Sequence, residues 1–168
     1  MPEIIEITRS KLRKELLRLY FTNPEQEYYL RELERLSGFS AANIRRELLK
    51  LKKSGLFETR KEGNLVYYSL NKGYPLYDEL KNIVFKTIGV EGALREIINM
   101  TKGIGVALIY GSFAAGEETG ISDIDLLVIG KPDEEILMTK IDELEEKLKR
   151  EINYTIYSRV EYHNRKRK

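Results

Sequence analysis

The sequence predicts an α+β protein made of two small domains, and three observations support this prediction. Three short helical patterns followed by two strand patterns occupy the N-terminal part, and a break containing glycine and proline follows at 71–75. In the C-terminal part, two apolar strand patterns flank a glycine-containing loop. A chain of 168 residues, 42% of them hydrophobic, can bury two small cores. We therefore expect domains over 1–75 and 90–168, with a linking helix over 76–89.

Composition excludes several classes of protein. The chain contains no cysteine, so neither a disulfide nor a thiolate metal site is available. No apolar run approaches the length of a membrane span, and the N-terminus lacks the apolar centre of a signal peptide, so we expect a cytoplasmic protein. The net charge of +2 divides into +5 over residues 1–75 and −3 over residues 76–168. This asymmetry indicates a polyanionic partner for the front half.

The first domain is predicted to contain three helices and a hairpin. Apolar residues recur three times at helical spacing. Either Thr8 or Ser10 caps the first helix, and Pro24 breaks it. Gly55 ends the third helix, and a turn containing Gly63 joins the two strands. The predicted elements are helices over 8–21, 29–36 and 41–54 and strands over 56–60 and 65–70.

This order of elements is that of a winged helix-turn-helix. Residues 40–70, SAANIRRELLKLKKSGLFETRKEGNLVYYSL, also resemble the DNA-reading half of archaeal and bacterial winged-helix regulators. The resemblance covers about residues 8–70. It implies that double-stranded DNA is the partner, with the third helix in the major groove and the hairpin against the backbone.

Basic side chains of the third helix are the predicted DNA contacts. Residues 45–53 carry five basic residues against one acidic residue. At about 100° per residue, Arg46 and Lys50 lie opposite the inward Ile44. Asn43 and Arg46 are the expected base readers. The expected phosphate contacts are Lys50, Lys53, Arg60 and Lys61. The alternative is that these charges only solvate an exposed helix. The candidate DNA-binding residues are Asn43, Arg45, Arg46, Lys50, Lys53, Arg60 and Lys61.

The second half is predicted to alternate helices and strands. The helix over 76–88 is expected to link the domains or to pair two copies in a homodimer that matches a palindromic site. The strand over 106–110 is predicted to be buried, and the long helix over 133–150 places Arg150 in a basic last turn. The predicted elements are helices over 76–88, 90–101 and 133–150 and strands over 106–110, 122–129 and 152–157.

The residues that carry chemistry lie between the first two of these strands. Gly111 and Ser112 follow the first strand, and Asp123 and Asp125 open the second, where alternation places both carboxylates on one face. Two such carboxylates are costly unless a cation lies between them, and Mg²⁺ accepts their oxygens while leaving positions for phosphate. The glycine lets the backbone approach a phosphate closely. This pattern predicts a site for a metal-bound nucleoside triphosphate; alternatively, the aspartates only cap a strand beside a turn.

The same stretch, GSFAAGEETGISDIDLLV, resembles the signature of the DNA polymerase beta-like nucleotidyltransferases, in particular the minimal nucleotidyltransferase domains of archaea and bacteria. The resemblance implies a small α/β domain with a mixed sheet, and ATP with Mg²⁺ or Mn²⁺ as its ligand. It assigns catalytic and metal-binding roles to Asp123 and Asp125. It assigns nucleotide binding to Gly111, Ser112 and Ser122.

The family normally supplies a third carboxylate from a later strand, and here the matching strand, 152–157, carries Asn153 instead. An amide oxygen can coordinate Mg²⁺, but it is neutral and cannot accept the proton of an attacking hydroxyl. Glu151 precedes the strand and Glu161 lies beyond it. We expect Asn153 to be the third ligand and the catalytic ion to be held weakly, which leaves turnover open.

Two functions follow from these expectations. In the first, a DNA-binding regulator carries a nucleotidyltransferase-like domain that binds a Mg–nucleotide with weak or no turnover, and Asn153 favours this interpretation. In the second, the protein is an active enzyme that transfers a nucleoside monophosphate to a small molecule, an RNA or a partner protein. The resemblance implies an antitoxin-like role for that enzyme, with a HEPN-type ribonuclease as the partner.

Overall fold

The computed structural model describes residues 9–116 and 122–165. These residues fall into two compact units, which divide the chain between Val90 and Glu91. Each unit holds helices and one three-stranded sheet, and the sheet of the second unit is mixed. The predicted α+β fold class is confirmed.

The first unit contains the predicted three helices and hairpin, and one short strand that the sequence did not reveal. Tyr28 and Tyr29 pair antiparallel with Tyr68 and Tyr67, so the second helix begins only at Leu30. The elements are α1 (Lys11–Thr22), β1 (Tyr28–Tyr29), α2 (Leu30–Ser37), α3 (Ala41–Lys53), β2 (Phe57–Glu62), β3 (Leu65–Leu70) and α4 (Tyr77–Thr87). The strand order is β1-β3-β2.

Aromatic and aliphatic side chains form the core of the first unit. The Tyr20 hydroxyl donates to the carbonyl oxygen of Tyr68 at 3.1 Å, and its ring meets Phe57 edge-on at 4.7 Å. Burial raises the pKa of Tyr20 above its ordinary value. Helix α4, which lies in the segment expected to link the domains, contributes the buried Val84 to the same core. This helix is therefore part of the first unit, and its role in pairing two copies stays a prediction.

The second unit has a three-stranded sheet in the order β4-β5-β6. Strand β4 is antiparallel to β5, and β6 is parallel to β5 because helix α7 connects them by a crossover. The elements are α5 (Val90–Met100), β4 (Ile104–Tyr110), α6 (Gly111–Ala115), β5 (Ile124–Gly130), α7 (Glu134–Leu148), β6 (Ile152–Tyr157) and α8 (Arg159–Arg165).

The two faces of this sheet differ in burial. Ile124, Leu126 and Val128 are buried on one face of β5. The other face continues onto β4, where Val106, Leu108 and Tyr110 are 47%, 46% and 46% exposed. The prediction that residues 106–110 form a buried strand is therefore wrong: the side chains on the other face, Ala107 and Ile109, are only half-buried. The strand lies at the edge of the described sheet, where only one strand flanks it. The buried stripe of α7 consists of Leu137, Ile141, Leu144 and Leu148.

Candidate nucleotide site and nucleic-acid face

Sheet register brings the predicted metal ligands together. Asp125 lies opposite Tyr110 on β4 and beside Asn153 on β6, so these three side chains occupy one row on one face. Asp123 precedes Asp125 by two residues, and the Asn153 amide Nδ2 donates to its carboxylate Oδ2 at 3.3 Å. The structure thus places both aspartates and the asparagine at one end of β5 and β6.

Gly111 lies directly against the carboxylate of Asp125. Its φ of +70° is a left-handed conformation that glycine adopts without strain, and a Cβ atom at this position would stand 2.3 Å from Asp125 Oδ2. Ser112, the next residue, is half-buried in the first turn of α6. The Gly-Ser pair and the Asp-x-Asp pair, which are separate in sequence, therefore meet in space.

The donor set at this site suits one hard divalent cation. It offers the oxygens of two carboxylates and, after rotation of its side chain, the amide oxygen of Asn153, all of which Mg²⁺ accepts. Among the described residues, no group of three or more Asp, Glu, His or Cys side chains could hold a metal. Hydrogen bonding with Ser158 at the start of α8 lowers the pKa of Glu161, and that carboxylate accepts the Ser158 backbone N–H at 2.8 Å. Glu161 is therefore engaged away from Asp123 and Asp125.

Arg150 is a residue of this region that sequence reasoning missed. The expected last helical turn does not form: α7 ends at Leu148, Lys149 turns left-handed with φ +55°, and Arg150 is buried at 6% exposure. Its Nη1 donates to the carbonyl oxygen of Ser122 at 2.9 Å. The sequence offers no signal for this burial beyond the position of Arg150 between a helical and a strand pattern.

The outward face of α3 is basic and carries no acid. Its single acidic residue, Glu47, is turned inward at 7% exposure and forms an ion pair with Arg13 of α1. The Lys50 ammonium reaches the same carboxylate only at 3.7 Å and remains exposed. The predicted contacts on this helix are all exposed, namely Asn43, Arg45, Arg46, Lys50 and Lys53.

The two predicted contacts on the hairpin differ from each other. Lys61 is exposed. Arg60 is also exposed, but its guanidinium donates to Glu27 at 2.8 Å and to Glu62 at 2.5 Å and lies 5.0 Å from the centre of the Tyr67 ring. These hydrogen bonds raise the pKa of Arg60 above its ordinary value. Two carboxylates therefore offset the charge of Arg60 within the protein itself.

Comparison with known proteins identifies a family for part of the chain. No curated protein matches the chain. The crystal structure of the transcriptional repressor BigR from Xylella fastidiosa is similar at 28% identity over 46% of this chain and 81% of that chain, with a TM-score of 0.35. None of the helices over residues 9–116 and 122–165 has the length and apolar content needed to span a bilayer. Residues 93–165 match the family model described as "Polymerase beta, Nucleotidyltransferase", so the C-terminal part of the chain carries a nucleotidyltransferase domain of the polymerase beta type.

Proposed function

We propose that this protein is a DNA-binding regulator whose second unit binds a divalent metal with a nucleoside triphosphate, expected to be ATP. The observation that carries the proposal is the convergence of Gly111, Asp123 and Asp125 at one end of the sheet. This convergence occurs within the segment that matches the nucleotidyltransferase family model.

Different residues of the second unit would contact the metal and the phosphates. Asp123 and Asp125 would hold Mg²⁺ or Mn²⁺, which supplies charge neutralisation for the phosphate oxygens when bound. The backbone at Gly111 and the hydroxyl of Ser112 would donate to the phosphates, and Ser122 would border the same site. Because residue 111 is glycine, no side chain keeps a phosphate away from the backbone at this position.

Asn153 is the reason to expect binding with little turnover. Its amide donates to Asp123, whereas a carboxylate at this position would accept the proton of an attacking hydroxyl. A neutral side chain also leaves one negative charge fewer for a second ion. The nucleotide would then act as an effector that the domain senses.

The first unit supplies the expected DNA contacts. Helix α3 presents Asn43 and Arg46 early and lysines later on an outward face from which the only acid is turned away. This arrangement suits a helix whose first turns meet base edges and whose later residues meet phosphates. The winged helix-turn-helix assignment, the homodimer and the DNA partner are parts of this proposal.

The second candidate is an active nucleotidyltransferase that modifies a small molecule, an RNA or a HEPN-type partner protein. The complete Asp-x-Asp pair and the family match favour it. The acceptor would then receive a nucleoside monophosphate, and pyrophosphate would leave.

One experiment separates these functions. The full-length protein is titrated with Mn²⁺·ATP by calorimetry and incubated with α-labelled ATP, alongside Asp123→Ala, Asp125→Ala and the exposed α7 variant Asp142→Ala. We expect the wild type and Asp142→Ala to bind, both site variants to lose binding, and little label to move. Label transfer that both site variants abolish would establish the enzyme instead, and a wild type that does not bind would refute the nucleotide site.

A further inference from the structure

Two chain segments build the candidate nucleotide site, and they are separated by residues 117–121. One segment follows β4, forms α6 and carries Ser112 followed by Phe113; the other precedes β5 and carries Ser122 followed by Asp123. Nucleotide binding as proposed requires both segments, because one would contact the phosphates and the other would hold the metal. Their relative position therefore determines whether a metal–nucleotide fits.

Arg150 contacts both of these segments. Its Nη1 donates to the carbonyl oxygen of Ser122 at 2.9 Å, and the centre of its guanidinium lies 5.5 Å from the centre of the Phe113 ring. Ser122 is itself a predicted nucleotide-binding residue and precedes Asp123, and Phe113 follows the predicted Ser112. A single buried side chain thus connects the two halves of the site.

The turn after α7 orients Arg150 toward this position. The N–H of Lys149 donates to the Glu145 carbonyl at 2.8 Å, which closes the helix in a left-handed conformation. The Glu145 carboxylate then accepts the N–H of Ile152 at 2.5 Å, which anchors the start of β6. Arg150 lies between these two anchors and points inward.

A buried guanidinium is energetically less favourable than an apolar side chain that fills the same volume. Taking this charge out of water is unfavourable unless its partners compensate, and an apolar side chain of similar volume would pack at lower cost. Arginine differs from lysine and methionine in combining a planar face that stacks on an aromatic ring with N–H donors in the same plane. The Ser122 carbonyl and the Phe113 ring use these two properties.

We propose that Arg150 is a positioning residue of the nucleotide site: it holds the Gly-Ser segment and the Asp-x-Asp segment at the separation that a metal-bound nucleoside triphosphate requires. This inference rests on the proposed function of the second unit. It implies that binding of the metal alone, through the carboxylates of β5, depends on Arg150 much less than binding of the metal–nucleotide, which contacts both segments.

The test compares two ligands on the full-length protein. Affinities for Mn²⁺ alone and for Mn²⁺·ATP are measured by calorimetry for the wild type, Arg150→Met, Arg150→Lys and Arg95→Met, the last being the same change at an exposed arginine of the second unit. We expect Arg150→Met to bind Mn²⁺·ATP about tenfold more weakly or worse, the scale at which supporting residues affect metal sites. We expect the Mn²⁺ affinity of Arg150→Met to change by a much smaller factor, because the metal alone does not contact the Gly-Ser segment. We expect Arg150→Lys to be intermediate and Arg95→Met to match the wild type.

Three outcomes would overturn the inference, and they can be told apart. If Arg150→Met binds Mn²⁺·ATP as the wild type does, Arg150 does not position the site although the site exists. If Arg150→Met unfolds cooperatively at the wild-type temperature and loses both ligands equally, its role is not positional. If the wild type binds neither ligand, the proposed function fails and the inference fails with it.

A second variant keeps the test informative if Arg150→Met does not fold. Phe113→Leu keeps an apolar side chain and the Arg150–Ser122 hydrogen bond but removes the aromatic face. We expect it to weaken Mn²⁺·ATP selectively and by a smaller factor than Arg150→Met. An unchanged ratio of the two affinities in a folded Phe113→Leu protein would contradict the positioning role.

Discussion

At the scale of single residues, Gly111 is the position where the backbone comes closest to the Asp125 carboxylate of the candidate site. Its left-handed φ and the 2.3 Å separation between a hypothetical Cβ and Asp125 Oδ2 are two independent reasons for glycine. Gly116 has nearly the same φ, +73°, but no atom of the described residues lies within 4 Å of its hypothetical Cβ. Substitutions at the two glycines therefore distinguish the effect of backbone strain from the effect of a steric clash with Asp125.

The prediction from this pair concerns alanine substitutions. Gly111→Ala should lower affinity for Mn²⁺·ATP by about tenfold or more, because the new methyl group displaces the Asp125 carboxylate that would hold the metal. Gly116→Ala carries only the backbone cost of about 1 kcal/mol and should keep wild-type affinity. Calorimetric titration and thermal unfolding of both variants check this. Equal losses of affinity would show that Gly111 acts through its φ alone.

Asn153 determines what the site lacks. It occupies the position beside Asp125 on β6 where the family supplies a carboxylate, and its amide is hydrogen-bonded to Asp123. A side chain with the same shape and one negative charge would add a third carboxylate to the site without repacking the sheet.

We therefore predict that Asn153→Asp gains nucleotidyl transfer. The added carboxylate can hold a second ion and accept a proton, and general base catalysis contributes about a hundredfold or more. Transfer of label from α-labelled ATP is the measurement, and Asn99→Asp on the exposed side of α5 is the control with the same change of charge. Transfer that stays at the wild-type level would mean that the missing carboxylate does not limit turnover.

At the scale of elements, α3 has two faces with different roles: its inward face packs in the core, and its outward face carries the proposed DNA contacts. Ile44 and Leu48 are fully buried, and Glu47 reaches Arg13 on α1. These inward contacts fix the rotation of the helix about its axis. Every basic side chain of its outward face is left exposed as a consequence.

This rotation leads to a prediction about DNA binding. Arg46→Ala combined with Lys50→Ala should lower affinity for double-stranded DNA by about tenfold or more, because a base-edge contact is worth about 1–3 kcal/mol. Lys11→Ala combined with Lys86→Ala removes the same charge from exposed positions on α1 and α4 and should have a much smaller effect. Gel-shift titrations at one salt concentration compare the two. Equal effects would mean that α3 is not the reading helix.

At the scale of the whole molecule, charge is divided between the two halves of the chain. Residues 1–75 carry a balance of +5 and residues 76–168 a balance of −3. The basic half contains the proposed DNA contacts, and the acidic half contains Asp123 and Asp125. DNA and the metal–nucleotide should therefore respond differently to salt.

We predict a steep salt dependence for DNA binding. Three phosphate contacts, at Lys50, Lys53 and Lys61, give a slope of log affinity against log salt of about −3 for one protomer. A homodimer bound to one palindromic site would give a slope of about −6 by the same relation. Fluorescence anisotropy across a salt series measures the slope, and Lys61→Ala should reduce it by about one per protomer. A slope near zero would refute the electrostatic contacts.

The order and type of the elements could be predicted from the sequence because they depend on local pattern. Ser10, one of two proposed caps, accepts the N–H of Arg13 at 3.2 Å and starts α1 there. Alternation along the strand predicted over 122–129 placed Asp123 and Asp125 together, and helical periodicity placed Arg46 and Lys50 outward. Each of these inferences uses residues only a few positions apart.

Other features were decided only by tertiary structure. Arg150 is buried because the chain turns left-handed at Lys149 and brings it to Ser122, 28 residues earlier in the sequence. The guanidinium of Arg60 forms an ion pair with Glu27, which lies 33 residues away in sequence. The position of Arg60 on the hairpin does not predict this pair. The exposure of β4 follows from its position at the edge of the sheet. Local periodicity specifies which side of an element is apolar. Whether another element covers that side or leaves it exposed depends on contacts between residues distant in sequence.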